Sequence, residues 1–366
     1  MSVWLVTLLA LAVDCKKCQD TGLAPCPSLA KHACADEVAR FCSIASACPV
    51  CAGTARVPCD RCDKDPGPEN EAAKEKNLAW LTATRAAVEP TMGRELAHAA
   101  SAHFLLTYDV HELDKKGVTT VHDGMHLYLA RSEELWTRFA RDLGAKDEDF
   151  SAPTQVLLWE RRDDQEKASL AFTRQSSKTE SKLMGKAPVV SIFYDRAWLH
   201  EEPELHQALV HQVVHCLLSN VWDGIWPGNI RGGWLDEGLA HAYELELFGG
   251  VRHYCYVESD TILDIQRGSW EPPVRTAVER GEAPGFLGVT SKNTVELARE
   301  EQPFAWSYVD FVRKRHPEQL GPLCRAVKAR KPLKDALQET LGVSPFEFET
   351  RWESFVRAEY ALKKRR

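Results

Sequence analysis

Apolar residues recur along the central part of the chain with the spacing of strands and helices. Residues 103–110, 154–159 and 187–194 are short apolar runs bounded by charge or turn residues, and they predict three strands. Residues 118–143 have apolar positions spread over several turns, which predicts a long helix. The polar stretch 161–186 between two of these strands is expected to be a loop or a hairpin.

The second half of the chain is predicted to be mostly helical. Pro203 can stand at the first position of a helix that runs to about Ser219. Another helix begins near Trp234 and ends at Gly249-Gly250, because glycine readily adopts the left-handed conformation that closes a helix. An Ala-rich helical pattern before the strands and four patterns after these helices predict further helices at 71–102, 304–315, 319–329, 333–341 and 345–362. A small strand layer followed by helices gives the fold class α+β.

The first apolar run, residues 3–13, is too short to cross a bilayer. It suits the apolar core of a signal peptide and contains a small-x-small cleavage sequence at 10–12, although no Lys or Arg precedes it. We therefore predict a signal peptide at 1–13 and export, to the periplasm or outside the cell. The alternative is a buried first strand or helix in a cytoplasmic protein.

Composition and charge narrow the class of protein. The chain has 366 residues, 44% hydrophobic and 27% charged, which is ordinary for a globular protein of two or three domains. Its net charge of −7 gives no general basic field, so we expect no nucleic-acid partner. Because the apolar run at 3–13 is too short, we also expect no membrane span.

Cysteines are concentrated near the N-terminus. Nine of the twelve lie between Cys15 and Cys62. This break in composition predicts a cysteine-rich module at 14–63, a linker and helix at 64–102, and the main domain at 103–366. The isolated cysteines Cys216, Cys255 and Cys324 are expected to be core residues.

Three Cys-x-x-Cys pairs give the module its chemistry: Cys15/Cys18, Cys48/Cys51 and Cys59/Cys62. Two residues between thiolates let a tight turn direct both sulfurs at one ion, and two such turns complete a tetrahedron. The spacing predicts zinc. A disulfide cluster, which export would favour, and a redox module are the alternatives.

These cysteines resemble the cysteine-rich region of DnaJ chaperones, over about fifty residues. The resemblance implies that the outer pairs, Cys15, Cys18, Cys59 and Cys62, share one zinc ion. It also implies a second ion on Cys26, Cys48 and Cys51. The repeat is incomplete there, because Leu29 stands where a cysteine is expected. His32, Cys34 or Cys42 could supply the missing ligand.

A second candidate site is His211-Gln-Val-Val-His215 followed by Trp234-Leu-Asp-Glu237-Gly-Leu-Ala. Residues four apart on a helix share one face, so both imidazoles can bind one ion. The layout resembles the gluzincin metallopeptidases, the thermolysin and aminopeptidase group. That resemblance implies a zincin-like domain over about 100–362, with zinc on His211, His215 and Glu237.

Gln212 stands where this group has its general base. A neutral amide cannot take up the proton of the attacking water, and loss of a general base typically costs about 10²–10⁴-fold in rate. Glu204 or Glu244 are conceivable substitutes, and His241 with Glu244 could orient a ligand histidine. The resemblance also implies an oxyanion-stabilising side chain; Tyr308 is the preferred candidate, before Tyr254 and Tyr256, unless its ring packs in the core.

Three functions are therefore compatible with the sequence. The first is an inactive or weakly active zinc-peptidase homologue that binds a peptide or protein, with the cysteine-rich module as a second interaction surface. The second is an active zinc peptidase with an atypical base. The third is a chaperone-like or redox protein led by the cysteine-rich module.

Overall fold

A computed structural model describes residues 14–32, 38–197, 199–255 and 269–361. The predicted signal peptide at 1–13 and the candidate residues Cys34 and Tyr256 lie outside this part of the chain. The strands are β1 (Leu23–Pro25), β2 (Phe41–Cys42), β3 (Arg56–Pro58), β4 (Ala97–Ala100), β5 (Phe104–Asp109), β6 (Thr154–Trp159), β7 (Glu180–Leu183) and β8 (Val189–Phe193).

Helices make up most of the remaining structure. They are α1 (Leu29–His32), α2 (Ser43–Ser46), α3 (Pro68–Met92), α4 (Val121–Leu143), α5 (Arg162–Ala168), α6 (Glu202–Asn220), α7 (Gly233–Phe248), α8 (Glu271–Arg280), α9 (Phe286–Thr290), α10 (Gln302–Arg315), α11 (Leu320–Lys328), α12 (Leu333–Leu341) and α13 (Pro345–Glu359). None of these described helices combines the length and the apolar character that a bilayer span requires.

A six-stranded sheet in the order β2-β4-β5-β6-β8-β7 forms the strand layer. The central strands β5, β6 and β8 run parallel, and α4 makes the crossover from β5 to β6. The remaining pairs, β2 with β4, β4 with β5 and β7 with β8, are antiparallel. The edge strand β2 comes from the cysteine-rich segment, with Phe41 opposite Ala100 and Cys42 opposite Ala99. The cysteine-rich segment is thus hydrogen-bonded into the main sheet.

Helix α4 shows how local sequence fixes an element that supports the site. Thr120 accepts a hydrogen bond from the backbone N–H of Asp123, whose carboxylate in turn accepts from the backbone N–H of Thr120. At the other end, Gly144 adopts a left-handed conformation with φ of 61° and closes the helix. The apolar face between these caps packs on the sheet and contributes Met125, Leu129, Leu135 and Phe139 to the core.

Helices α6 and α7 lie side by side in the interior and are buried over most of their length. Lys328 of α11 caps the C-terminal end of α6. Its ammonium donates to the carbonyl oxygens of Leu218 at 2.7 Å and Ser219 at 3.2 Å, and to the carbonyl oxygen of Val221. These carbonyls would otherwise lack partners in the core, so a buried lysine is tolerated here.

The mixed architecture agrees with the predicted α+β class. The three predicted strands and the helices around α4, α6, α7 and α10–α13 form within a few residues of their expected limits. The prediction of a loop or hairpin at 161–186 holds only for its second part, where β7 and β8 form an antiparallel hairpin, because the first part forms α5. The prediction for 71–102 missed β4, a strand whose small residues Ala97, Ala99 and Ala100 have good helix propensity but pair with β5.

Gly238, in the segment that resembles the gluzincins, lets α7 approach α10. A β-carbon at this position would lie 2.6 Å from the carbonyl oxygen of Ala305 and 2.6 Å from Cγ2 of Val309. Both are closer than real β-carbons come, so a side chain would push the two helices apart.

Gly238→Ala is therefore expected to lower the free energy of unfolding by about 1–3 kcal/mol, as overpacking does. Denaturant titration would measure it. Gly288→Ala is the matched control, since it also lies in a helix and its added β-carbon meets nothing within 4 Å. Equal effects of the two substitutions would contradict the close-approach explanation.

Candidate metal centres

His211 and His215 of α6 face Glu237 of α7 at the centre of the main domain. The Nε2 atoms of the two histidines lie 3.1 Å apart. The Glu237 carboxylate places Oε2 3.9 Å from Nε2 of His211 and Oε1 3.7 Å from Nε2 of His215. All three side chains are fully buried. The structure thus brings together the residues that the sequence motif selects.

A fourth side chain, Cys255, completes this group. Its Sγ lies 3.3 Å from Nε2 of His211 and 3.3 Å from Nε2 of His215. The four ligand atoms all lie within 4.8 Å of one another. Ligand atoms around a tetrahedral zinc ion are about 3.3–3.8 Å apart, given bonds of about 2.0–2.3 Å. The group therefore has the composition and size of a closed four-ligand site.

The hydrogen bonding and charge around the Glu237 carboxylate indicate whether a cation fits in this group. Among the described residues, neither of its buried oxygens accepts an aligned hydrogen bond, although Oε2 lies 3.1 Å from Nε2 of His241. Burial acts to raise the pKa of Glu237, but the close contact with His241 and the nearby His215 and His211 hold that pKa below its ordinary value. Burial acts to lower the pKa of His241, but the contact with Glu237 raises it to about 9, so this ring is one positive partner of the carboxylate. A dication held in the group would supply a second.

Two further carboxylates orient the ligand imidazoles. Glu244 Oε2 lies 3.1 Å from Nδ1 of His211, and Asp236 Oδ1 lies 2.8 Å from Nδ1 of His215. With a carboxylate on Nδ1, Nε2 of each ring faces the centre of the group, an arrangement that metal-binding histidines commonly have. Burial lowers the pKa of His211 to about 3, so the ring is neutral and able to bind a metal.

Lys182 of β7 lies at the edge of the same group. Its Nζ is 2.6 Å from Oε1 of Gln212 and 2.6 Å from Sγ of Cys255. Burial acts to lower the pKa of Lys182, but Cys255 and Glu237 raise it above its ordinary value, and the amine is an ammonium. One cation thus holds both the amide at the expected base position and the thiol at the fourth ligand position.

The surroundings of Cys255 favour its protonated thiol, and a bound metal ion would be needed to deprotonate it. Burial, with the charge of Glu237, raises its pKa well above the ordinary value, whereas Lys182 acts in the opposite direction. A dication at the centre of the group would reverse this balance, because a coordinating thiol loses its proton.

The other proposed catalytic residues lie elsewhere. Tyr308 is fully buried, with its ring against Trp234, Phe286 and Trp352 and its hydroxyl 3.4 Å from the carbonyl oxygen of Pro284. The ring therefore packs in the core, which was the stated alternative for this residue.

The alternative tyrosine and bases are also committed to other contacts. The ring of Tyr254 contacts those of His241 and Trp270 in tilted arrangements. Glu204 pairs with Arg252. Glu244 accepts hydrogen bonds from His211, His241 and His253, so its role is to orient imidazoles.

Sequence reasoning missed Cys255, Lys182 and Asp236. The expectation that Cys255 is a core residue was wrong: it belongs to a group that could hold a metal ion, whereas Cys216 and Cys324 are core residues. No spacing signal marked Cys255 or Lys182, because both come from distant segments. Asp236 had a signal, since it directly precedes Glu237, but its partner His215 is apparent only in the fold.

The first cysteine group consists of Cys15, Cys18, Cys59 and Cys62. The Sγ atoms of Cys15 and Cys59 are 3.8 Å apart, and those of Cys18 and Cys62 are 3.5 Å apart. These separations match thiolates around one ion and greatly exceed a disulfide bond of about 2.05 Å. The pairing of outer with outer cysteines, implied by the resemblance to DnaJ, is present.

The second cysteine group contains Cys26, Cys48, Cys51 and His32. His32 Nε2 lies 3.4 Å from Sγ of Cys51. Of the three alternatives for the missing ligand, His32 takes the place in this group, while Cys42 lies with other residues and Cys34 is outside the described part of the chain. Two groups of four ligands thus lie in the cysteine-rich segment.

No family model matches the chain, and no curated protein is similar enough to match it. The resemblances to the gluzincins and to the DnaJ cysteine-rich region therefore rest on the motifs and on the geometry of these groups. What the structure supports directly is coarser: clusters of Cys, His and Glu that can hold metal ions.

The metal content of the chain tests the central group. His211→Ala/His215→Ala is expected to lower the zinc content by about one ion per chain, because it removes two of four ligands. Elemental analysis of purified protein measures this. His111→Ala/His316→Ala removes two histidines outside every candidate group and serves as the control. An unchanged zinc content in the first variant would exclude this centre.

Cys255 is expected to add affinity to the central group. Cys255→Ala should weaken zinc binding at this site more than about tenfold, a loss at least as large as that from removing an outer partner of a metal ligand. Competition with a chelator measures the change. Cys216→Ala removes another buried thiol outside the group; matching losses in both variants would show that Cys255 is no ligand.

Proposed function

We propose that this protein is a zinc-binding, gluzincin-like peptidase homologue that does not hydrolyse, or hardly hydrolyses, and that acts by binding a peptide or protein. The observation that carries the proposal is the position of Lys182, which donates to Gln212 and to Cys255 at 2.6 Å each. Hydrolysis by such a site needs an open fourth zinc position and a general base. Here Cys255 occupies the first position and Gln212 the second, and neither supports hydrolysis.

The fourth ligand position is the first of these. Catalytic zinc sites have three protein ligands and keep one position for water or substrate, whereas structural sites are closed by a fourth protein ligand. Cys255 supplies that fourth ligand here, at 3.3 Å from both Nε2 atoms. His211, His215, Glu237 and Cys255 would hold the ion, which supplies electrostatic cross-linking of α6, α7 and the segment after α7.

The general-base position is the second. Gln212 lies on α6 between the two ligand histidines and is buried. Its amide cannot accept a proton, and its Oε1 already accepts a hydrogen bond from Lys182. A loss of about 10²–10⁴-fold in rate follows from the missing base alone.

Binding is the role that these features support. A closed central site and two closed cysteine groups stabilise folded surfaces without chemistry of their own. The cysteine-rich segment is the second interaction surface of the proposal. An exported location, if residues 1–13 are a signal, would require that its thiolates stay bound to metal.

A zinc peptidase held latent by Cys255 is the alternative that a specific observation favours. His211, His215 and Glu237 all lie on helices, whereas Cys255 lies outside regular secondary structure, seven residues beyond α7. Displacement of one thiol would open the fourth position without disturbing α6 or α7. Gln212 would still leave this enzyme without a carboxylate base.

Cleavage of a broad peptide library separates these functions. Zinc-loaded wild-type protein is expected to cleave none of it, whereas Gln212→Glu/Cys255→Ala should gain cleavage that a chelator abolishes, because it restores a base and an open position. Mass spectrometry of the products measures both. Gln212→Glu alone is the control, since Cys255 still closes the site. Chelator-sensitive cleavage by the wild type would overturn the proposal.

A chaperone-like or redox role led by the cysteine-rich segment needs a different test. Deleting the segment would also remove β2 from the main sheet, so Cys59→Ser/Cys62→Ser is the cleaner change. If this variant loses suppression of the aggregation of an unfolded test protein, or loses thiol-exchange activity, while the wild type has it, the third function gains over binding by the main domain.

A further inference from the structure

A fourth group of residues that could hold a metal ion lies where the cysteine-rich segment meets α4. Cys42 comes from the edge strand β2, and His122 and His126 come from the first turns of α4. Cys42 Sγ lies 3.4 Å from Nε2 of His122, and the two imidazole centroids are 4.6 Å apart. One ligand atom from each of the three residues lies within 4.8 Å of the others.

His126 is the residue that ordinary packing leaves unexplained. It is 8% exposed, and neither of its ring nitrogens has a hydrogen-bond partner among the described residues. Buried polar groups normally find partners, and leaving two unsatisfied on one ring costs stability. A hydrogen bond between Cys42 and His122 accounts for those two residues and leaves His126 unsatisfied.

The backbone holds the two histidines in a ligand arrangement. His122 and His126 are four residues apart on α4 and therefore lie on one face of the helix. The reciprocal hydrogen bonds between Thr120 and Asp123 fix the first turn, from which His122 projects. Cys42 is fixed in turn by the pairing of β2 with β4. Little ordering is needed when an ion arrives.

We propose that Cys42, His122 and His126 bind a zinc ion that is separate from the other three groups. One thiolate and two imidazoles suit a borderline-soft, tetrahedral dication, and the 3.4 Å separation of sulfur and nitrogen matches the spacing around zinc. The described residues supply three ligands, and water or another donor takes the fourth position. The ion joins the sheet edge to the helix that covers it.

This site does not depend on the proposed function. It shares no residue with the central group or with the two cysteine groups. Cys42 was one alternative for the missing ligand of the second cysteine group, and His32 takes that place, which leaves Cys42 for the site described here.

Anomalous scattering at the zinc edge, from crystals of full-length wild-type protein purified with zinc, tests the proposal directly. We expect a peak bonded to Cys42 Sγ and to ring nitrogens of His122 and His126. Peaks at the two cysteine groups with none at this position would overturn it. The measurement needs no variant, so it decides even if substitutions prevent folding.

His126→Leu provides a second, independent test. The leucine fills a similar volume and has no unsatisfied nitrogen. If His126 is a ligand, zinc content falls by about one ion per chain, the melting temperature of the zinc-loaded protein falls, and a chelator removes the difference between variant and wild type. Unchanged zinc content with equal or higher thermal stability would refute the site. His111→Ala, at an exposed histidine, is the control.

Discussion

The buried carboxylate of Glu237 is the constraint on which the main domain depends. It lies at the centre of the helical part among three imidazoles, with neither oxygen accepting an aligned hydrogen bond from the described residues. An isolated negative charge is very costly in such surroundings. The neighbouring groups have the arrangement of a cation site. The Nε2 atoms of His211 and His215 and the sulfur of Cys255 lie close to the carboxylate. Glu244 and Asp236 contact the opposite nitrogens of the two rings.

That arrangement also explains why α6 and α7 are apolar and buried almost all round. A helix that presents metal ligands on one face and packs on neighbours with the others has no face left for solvent. The glycine beside Glu237 brings α10 close, and Lys328 satisfies the end of α6. The candidate site therefore lies within the core, and a substitution in either one is expected to alter the packing of the other.

The sequence predicted much of this, and the reasons for its failures are physical. Helix spacing predicted that His211 and His215 share one face, and the resemblance to the gluzincins added Glu237 as the third candidate ligand. Cys255 and Lys182 could not be found, because each arrives from a separate segment with no local pattern. The strand β4 and the edge strand β7 were missed since their short, small or polar sequences take strand form through pairing alone. The cysteine pairing followed from a repeat, whereas His32 had to be chosen by the fold.

The two-residue strand β2 has a consequence for self-association. It covers the outer edge of β4, whose backbone N–H and C=O groups would otherwise face solvent. Exposed strand edges can pair with strands of other chains. The contacts that keep Phe41 and Cys42 paired with β4 therefore also prevent edge-to-edge association. Release of β2 from the sheet would therefore lead first to aggregation of folded molecules, before the core itself unfolds.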